Sequence, residues 1–158
     1  MIPLDLATIA RAVDGQLVRG NPAVVVRDVS TDTRKLSPGA LFFALRGEQY
    51  DGHAFVAQAA ARGAAGVVVR DLSGELPEQV AVIRVADTLA ALQLLARYNR
   101  VRSRVRLIGI TGSTGKTTTK DLTAAVLSTR YDVLATPGNL NNEIGLSLTL
   151  LELEAHHQ

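Results

Sequence analysis

Apolar positions alternate between two rhythms along this chain. Short apolar runs bounded by turn residues recur at residues 24–29, 40–45, 66–69, 80–85, 105–110 and 131–135. Runs of this length read as strands, buried where the apolar character is continuous. A further short strand is expected at residues 16–19. Between the runs the spacing changes to three and four. Helices are expected at 6–13, 53–62, 87–99, 116–129 and 143–153. Asp5 and Asp87 precede two of these segments as N-caps, and Gly15 and Gly63 follow two as stops. Ser37-Pro38-Gly39 is a turn signal. In the segment 87–99, Leu89, Leu92, Leu95 and Ala96 share one face. Strands alternating with helices predict an α/β fold. The pattern divides the chain into a mixed α/β domain, residues 1–103, and the first part of a parallel-sheet unit, residues 104–158. In the second unit the strand at 131–135 would follow the helix by a right-handed crossover.

The junction between strand and helix in that second unit carries the most specific chemistry. Residues 108–120 read Ile-Gly-Ile-Thr-Gly-Ser-Thr-Gly-Lys-Thr-Thr-Thr-Lys. A strand, a small-residue loop and a helix in this order form the context of a phosphate-binding P-loop. Gly112 and Gly115 let the backbone turn tightly, so that the loop from Gly112 through Ser113, Thr114 and Gly115 to Thr118 brings N–H groups to phosphate oxygens. The N-terminus of the following helix adds partial positive charge. Lys116 is the catalytic candidate, reaching the β- and γ-phosphates of ATP. Thr117 is the metal candidate, its hydroxyl helping to hold Mg²⁺. The strict pattern places a glycine where Ile110 stands. The competing reading is a Gly/Thr-rich turn without a ligand.

Composition narrows the class. The chain has 158 residues, a formal net charge of +2 and no cysteine. Disulfides and thiolate metal sites are thereby excluded. With 4% aromatic residues, the core must be built from Ala, Val, Leu and Ile. Arginine supplies most of the cations, since lysine occurs only at positions 35, 116 and 120. Arg97, Arg100, Arg102, Arg104 and Arg106 form a basic cluster, with Tyr98 its one aromatic neighbour. It reads as a solvated helix end and linker, and no nucleic-acid partner is expected. The N-terminal segment lacks the charge and apolar core of a signal peptide, and no run is long enough to span a bilayer. A monomeric cytoplasmic protein without membrane insertion is expected.

Three separated segments resemble the Mur ligases. The first runs Ser30-Thr31-Asp32-Thr33-Arg34 and continues through residues 38–48 to Asp51-Gly52-His53. It is similar to the family's N-terminal domain, which holds the uridine nucleotide part of the substrate. The second, residues 111–120, is similar to the family's ATP loop. The third, Gly138-Asn139-Leu140-Asn141-Asn142-Glu143-Ile144-Gly145, resembles the branch that joins D-alanyl-D-alanine to a UDP-N-acetylmuramoyl-tripeptide. The resemblance implies an ATP- and Mg²⁺-dependent amide ligase of peptidoglycan precursor synthesis. It covers the family's substrate domain and the beginning of its central ATPase domain. The family's metal-binding glutamate, carbamylated lysine and amino-substrate domain have no counterpart, so the chain is expected to be inactive alone. Ser147 stands where the family often has proline.

The same resemblance assigns substrate contacts to Ser30, Thr31, Thr33, Arg34, Asn139 and Asn142. Arg34 can pair bidentately with a diphosphate, or equally with Asp32. The hydroxyls can donate to uracil or phosphate, or be solvated. His53 reads as a cap or packing group at a helix start. The asparagines at 139, 141 and 142 can line the gap between domains, or serve turn chemistry. Other Mur-type or folylpolyglutamate ligases, a small P-loop kinase and a non-catalytic nucleotide-binding module are the competing classes.

Overall fold

The computed structural model describes residues 1–47, 50–72, 74–138 and 142–158. Its elements are β1 (Leu4–Asp5), α1 (Leu6–Ala12), β2 (Gln16–Arg19), β3 (Val25–Val26), β4 (Val29–Ser30), β5 (Leu41–Phe43), α2 (Val56–Ala61), β6 (Gly66–Val69), β7 (Ala81–Arg84), α3 (Thr88–Ser103), α4 (Lys116–Leu127) and α5 (Glu143–Leu151).

The main sheet has the order β2-β7-β6-β5-β4. Strands β4 to β7 run parallel, and β2 closes one edge antiparallel to β7. Every residue of β5 and β6 is buried. That explains their continuous apolar sequence, because a central parallel strand is covered on both faces. The period-two alternation then sorts side chains between two layers. Leu41, Phe43, Val68 and Ile83 pack with Leu6 and Ile9 of α1 and with Leu92 and Leu95 of α3. Phe42, Val67, Val69 and Val82 face the other way, against Val56 and Ala59 of α2.

Local signals account for several boundaries. The Asp5 carboxylate accepts from Thr8 N–H at 2.7 Å and starts α1. Asp87 accepts from Leu89 and Ala90 N–H and starts α3. Within α3, Leu92, Leu95 and Ala96 are buried as the spacing predicts, while Leu89 is half-buried. The expected helix 53–62 begins instead as a 3-10 turn, Gly52–Phe55, capped by Asp51. Gly52 is required there, because a Cβ would come within 2.7 Å of the Leu45 backbone.

Three expected strands differ. The run 24–29 splits: Val26 pairs antiparallel with Leu4, whereas Val29 pairs parallel with Leu41. The chain changes partners across Arg27 and Asp28, so one continuous strand cannot serve both. Residues 105–110 and 131–135 carry no strand pairing. A strand exists only through ladder bonds to a neighbour, and neither run has such a neighbour among the described residues. Leu107 and Ile108 are accordingly exposed. Helix α4 likewise buries none of its residues.

Helix α5 behaves differently. It packs against α3, and Leu151 joins the core cluster of α1 and α3. No described helix is long and apolar enough to cross a membrane.

Candidate nucleotide and substrate sites

The candidate phosphate loop is exposed from Thr111 to Gly115. Gly115 stands at the N-cap of α4 with φ +76°, and no side chain caps the helix. Only glycine adopts this left-handed conformation freely. The first-turn N–H groups of α4, which include those of Thr117 and Thr118, thus meet no protein side chain at the cap. They point where an anion would bind, and the helix dipole favours negative charge there. The first turn holds no acidic residue to compete. The Lys116 ammonium turns back on its own loop and donates to the Gly112 carbonyl at 2.5 Å. The Thr117 hydroxyl is on the exposed face of the first turn.

Beside the loop lies a cavity of about 490 Å³. Lys116, Thr117, Lys120 and Gly138 form its polar side, and Ile108 and Leu134 belong to its apolar side. No carboxylate lines it, and no group of three or more potential metal-ligating side chains occurs among the described residues. Of the loop's hydroxyls, Thr117 is the one that lines this cavity, and it can offer an oxygen to a divalent cation. A hydroxyl without carboxylates fits Mg²⁺, which takes few protein ligands; Thr117 would hold it.

The second candidate region follows β4, at the C-terminal edge of the sheet. Here the hydroxyls are more committed than their sequence suggests. Ser30 is buried, and its Oγ donates to the Asp32 carbonyl at 2.8 Å while accepting from Asp32 N–H. Thr33 is buried, and its Oγ1 donates to Gln58 Oε1 at 2.5 Å. Both side chains shape the turn. Thr31 is half-buried and makes no side-chain hydrogen bond among the described residues. Arg34 holds Asp32 with its fork, Nε at 3.0 Å from Oδ1 and Nη2 at 2.8 Å from Oδ2. The Arg34 side chain is 82% exposed. The Arg34 guanidinium, then its backbone N–H, lower the Asp32 pKa to about 2.

Sequence reasoning missed a polar cluster at the ends of β5, β6 and β7. Arg46, Asp51, His53, Arg70 and Asp87 line a cavity of about 360 Å³. The His53 ring bridges two elements. Its Nε2 accepts from Arg70 N–H at 3.0 Å, so Nδ1 carries the proton and donates to Asp51 Oδ1 at 2.6 Å. The backbone N–H of His53, then its ring, lower the Asp51 pKa. The cap of this turn is Asp51, and His53 makes polar contacts with Asp51 and the Arg70 backbone. The signal for Arg46, Arg70 and Asp87 was available: each follows an apolar run, and open α/β sheets present ligands at that edge.

Of the asparagine-rich segment, Asn139 and Asn141 lie outside the described residues. Asn142 caps α5, its Oδ1 accepting from Gly145 N–H at 2.7 Å. The arginine cluster is a helix end: α3 stops where Arg104 adopts φ +57°, and Arg102 lies 5.8 Å over the Tyr98 ring.

Comparison with known proteins decides the family. The Mur ligase family catalytic domain matches residues 25–100, and the Mur ligase middle domain matches residues 110–158. The chain belongs to the Mur ligase family. The UDP-N-acetylmuramoyl-tripeptide–D-alanyl-D-alanine ligase of Bacillus subtilis is 49% identical over 97% of this chain and 34% of its own length. The Escherichia coli ligase of the same name is 43% identical over 97% of the chain and 33% of its own length. Among solved structures, MurF from Acinetobacter baumannii superposes with a TM-score of 0.91 at 37% identity, over 99% of this chain and 34% of its own. MurF from Thermotoga maritima, solved in complex with ADP, superposes with a TM-score of 0.71 at 31% identity, over 80% of this chain and 29% of its own. The chain thus spans about a third of the length of these Mur ligases.

Proposed function

We propose that this chain supplies the UDP-substrate-binding domain, residues 1–103, and the start of the ATP-binding domain, residues 104–158, of an ATP-dependent amide ligase. The reaction joins D-alanyl-D-alanine to UDP-N-acetylmuramoyl-tripeptide in the making of peptidoglycan precursors. One observation carries the reading. The left-handed Gly115 opens α4 with its N–H groups uncapped, directly beside the Lys116 ammonium.

The chemistry follows from those groups. A tripeptide carboxylate oxygen attacks the γ-phosphorus of ATP, the bond to the β-phosphate oxygen breaks, and ADP leaves. The amine of D-alanyl-D-alanine then attacks the acyl phosphate, forming the amide, releasing phosphate and losing a proton. Charge gathers on the phosphate oxygens during the first step, and catalysis is mostly positioning and neutralisation. The loop N–H groups from Gly112 to Thr118 hold the phosphates. Lys116 leaves the Gly112 carbonyl to meet the γ-phosphate. Thr117 would hold Mg²⁺, which when bound neutralises phosphate charge. At the sheet edge, Thr31 and Arg34 face the UDP portion, with Ser30 and Thr33 setting the shape of the turn. Asn139 and Asn142 are kept as substrate residues on the family resemblance, with Asn142 also starting α5. A monomer acting in the cytoplasm completes the reading.

Titration of ATP with Mg²⁺ into the 158-residue chain tests it. Saturable binding at one site, weakened about tenfold or more in Lys116→Ala, supports the assignment. Equal binding by both proteins overturns it.

A further inference from the structure

Helix α4 carries a second lysine one turn beyond the loop. Lys120 lies four residues after Lys116, so both side chains project from one face. Both line the same cavity, yet their ammonium groups have different partners. Lys116 folds back onto Gly112. Lys120 reaches across to the chain that leads into the asparagine-rich segment. Its Nζ donates to the Thr136 carbonyl at 2.7 Å and to the Gly138 carbonyl at 3.1 Å. Asp121 Oδ1 stands 3.3 Å away and keeps the charge paired. The Lys120 side chain is only 21% exposed.

The far end of the segment is also held. Asn142 starts α5, and α5 is tied to the first domain through Asn99. Gly138 is thus tied to a cation from the nucleotide helix, and Asn142 belongs to a docked helix. Helix α4 fully buries no residue of its own, so the two charge-assisted hydrogen bonds are a specific tie between it and residues 136–138.

We infer that Lys120 is a positioning residue for the nucleotide site: it holds the backbone at 136–138 against the helix that begins at the phosphate loop. It acts on backbone carbonyls and does not touch phosphate. The inference rests on the reading of that loop as the ATP site, and it deepens that reading by assigning the second lysine.

Hydrogen exchange and ATP titration in the presence of Mg²⁺, on the 158-residue chain, test it with Lys120→Met and Lys120→Arg. In K120M, exchange across the amides of residues 136–138 should rise about tenfold, while amides of β6 and α3 keep their rates. The affinity for ATP should fall about three- to tenfold, through lost pre-organisation. K120R keeps donors for both carbonyls and should stay near wild type in both measurements. Unchanged exchange in K120M overturns the inference. So does a loss of ATP affinity of about a hundredfold with unchanged exchange, which would put Lys120 on the phosphates. If K120M does not melt cooperatively, Lys120→Ala is read by the same criteria. Absence of ATP binding by the wild type would sink the nucleotide reading, while the exchange rates still judge whether Lys120 holds residues 136–138.

Discussion

The side-chain amide of Asn99 donates to the carbonyl of Leu150 at 2.9 Å, joining α3 to the end of α5 across 51 positions of sequence. The same amide nitrogen donates to the Leu153 carbonyl at 3.0 Å, and Asn99 Oδ1 accepts from Ile2 N–H at 3.2 Å. Asn99 is completely buried, so its removal leaves the Leu153 carbonyl unpaired in the interior, and the partly buried Leu150 carbonyl and Ile2 N–H lose a partner. Asn99→Ala should cost about 2–4 kcal/mol, from one buried and two partly buried backbone groups left unpaired. Denaturant unfolding measures this. A loss under about 1 kcal/mol would show that the junction relaxes around the cavity.

Acid should loosen the N-terminal helix, and neutral pH should leave it intact. Hydrogen bonds from the Thr8 backbone N–H, then the Thr8 hydroxyl, lower the Asp5 pKa. A carboxylate with a lowered folded-state pKa binds fewer protons in the folded chain than in the unfolded one. Its contribution is present above the unfolded value, about 4, and is lost as pH falls through the folded value. Asp51 and Asp32 act in the same direction. Melting temperature should therefore hold on the acidic side down to about pH 4 and fall below it. Asp5→Asn keeps a cap acceptor without the titration. It should flatten part of that fall, and an acid profile identical to wild type would remove Asp5 from the account.

Arg34 should matter to ligand and hardly to the fold. Its ion pair with Asp32 is exposed, and such pairs contribute little to stability. Arg34→Ala should leave the melting temperature within about 2 °C of wild type. Titrated with UDP-N-acetylmuramoyl-tripeptide, it should bind about tenfold or more weakly, because the fork no longer meets the diphosphate. Equal affinity would confine Arg34 to its bond with Asp32.

Gly115 offers a test of loop geometry. A Cβ there meets no atom within 4 Å, so the cost of alanine is conformational alone. With φ at +76°, Gly115→Ala should destabilise by about 1–2 kcal/mol or shift the loop to another conformation. ATP affinity should fall while the β-sheet core melts nearly as before. Full ATP affinity in this variant would show that the left-handed turn is not needed for phosphate binding.

What could be read from the chain was local. Asp5, Asp87 and the 3–4 spacing of Leu92, Leu95 and Ala96 announce α1 and α3, because a cap and a helix face involve residues a few positions apart. The Gly115-Lys116-Thr117 run fixes the loop for the same reason. The runs 105–110 and 131–135 have strand character, but a strand needs a ladder partner, and none of the described residues supplies one. Thr33 was read as reaching outward, yet its hydroxyl finds Gln58, 25 residues on. Lys120 gave no sign of its role, because its partners are backbone carbonyls 16 and 18 residues later, and any residue type presents a carbonyl. Asn99 was unremarked for the same reason.

Exchange of domains measures the central claim most directly. Residues 1–158 replace the corresponding N-terminal third of the Bacillus subtilis ligase, which is 49% identical over this region. Phosphate release is followed with ATP, Mg²⁺, UDP-N-acetylmuramoyl-tripeptide and D-alanyl-D-alanine, with the 158-residue chain alone as the comparison. The chimera should turn over only when all substrates are present, and the chain alone should not. Lys116→Ala in the chimera should abolish turnover with the melting temperature unchanged, and kcat should fall more than ATP affinity, because the ammonium acts on charge that develops during transfer. A folded chimera without activity, or a Lys116→Ala variant active within a few-fold of its parent, would contradict the account.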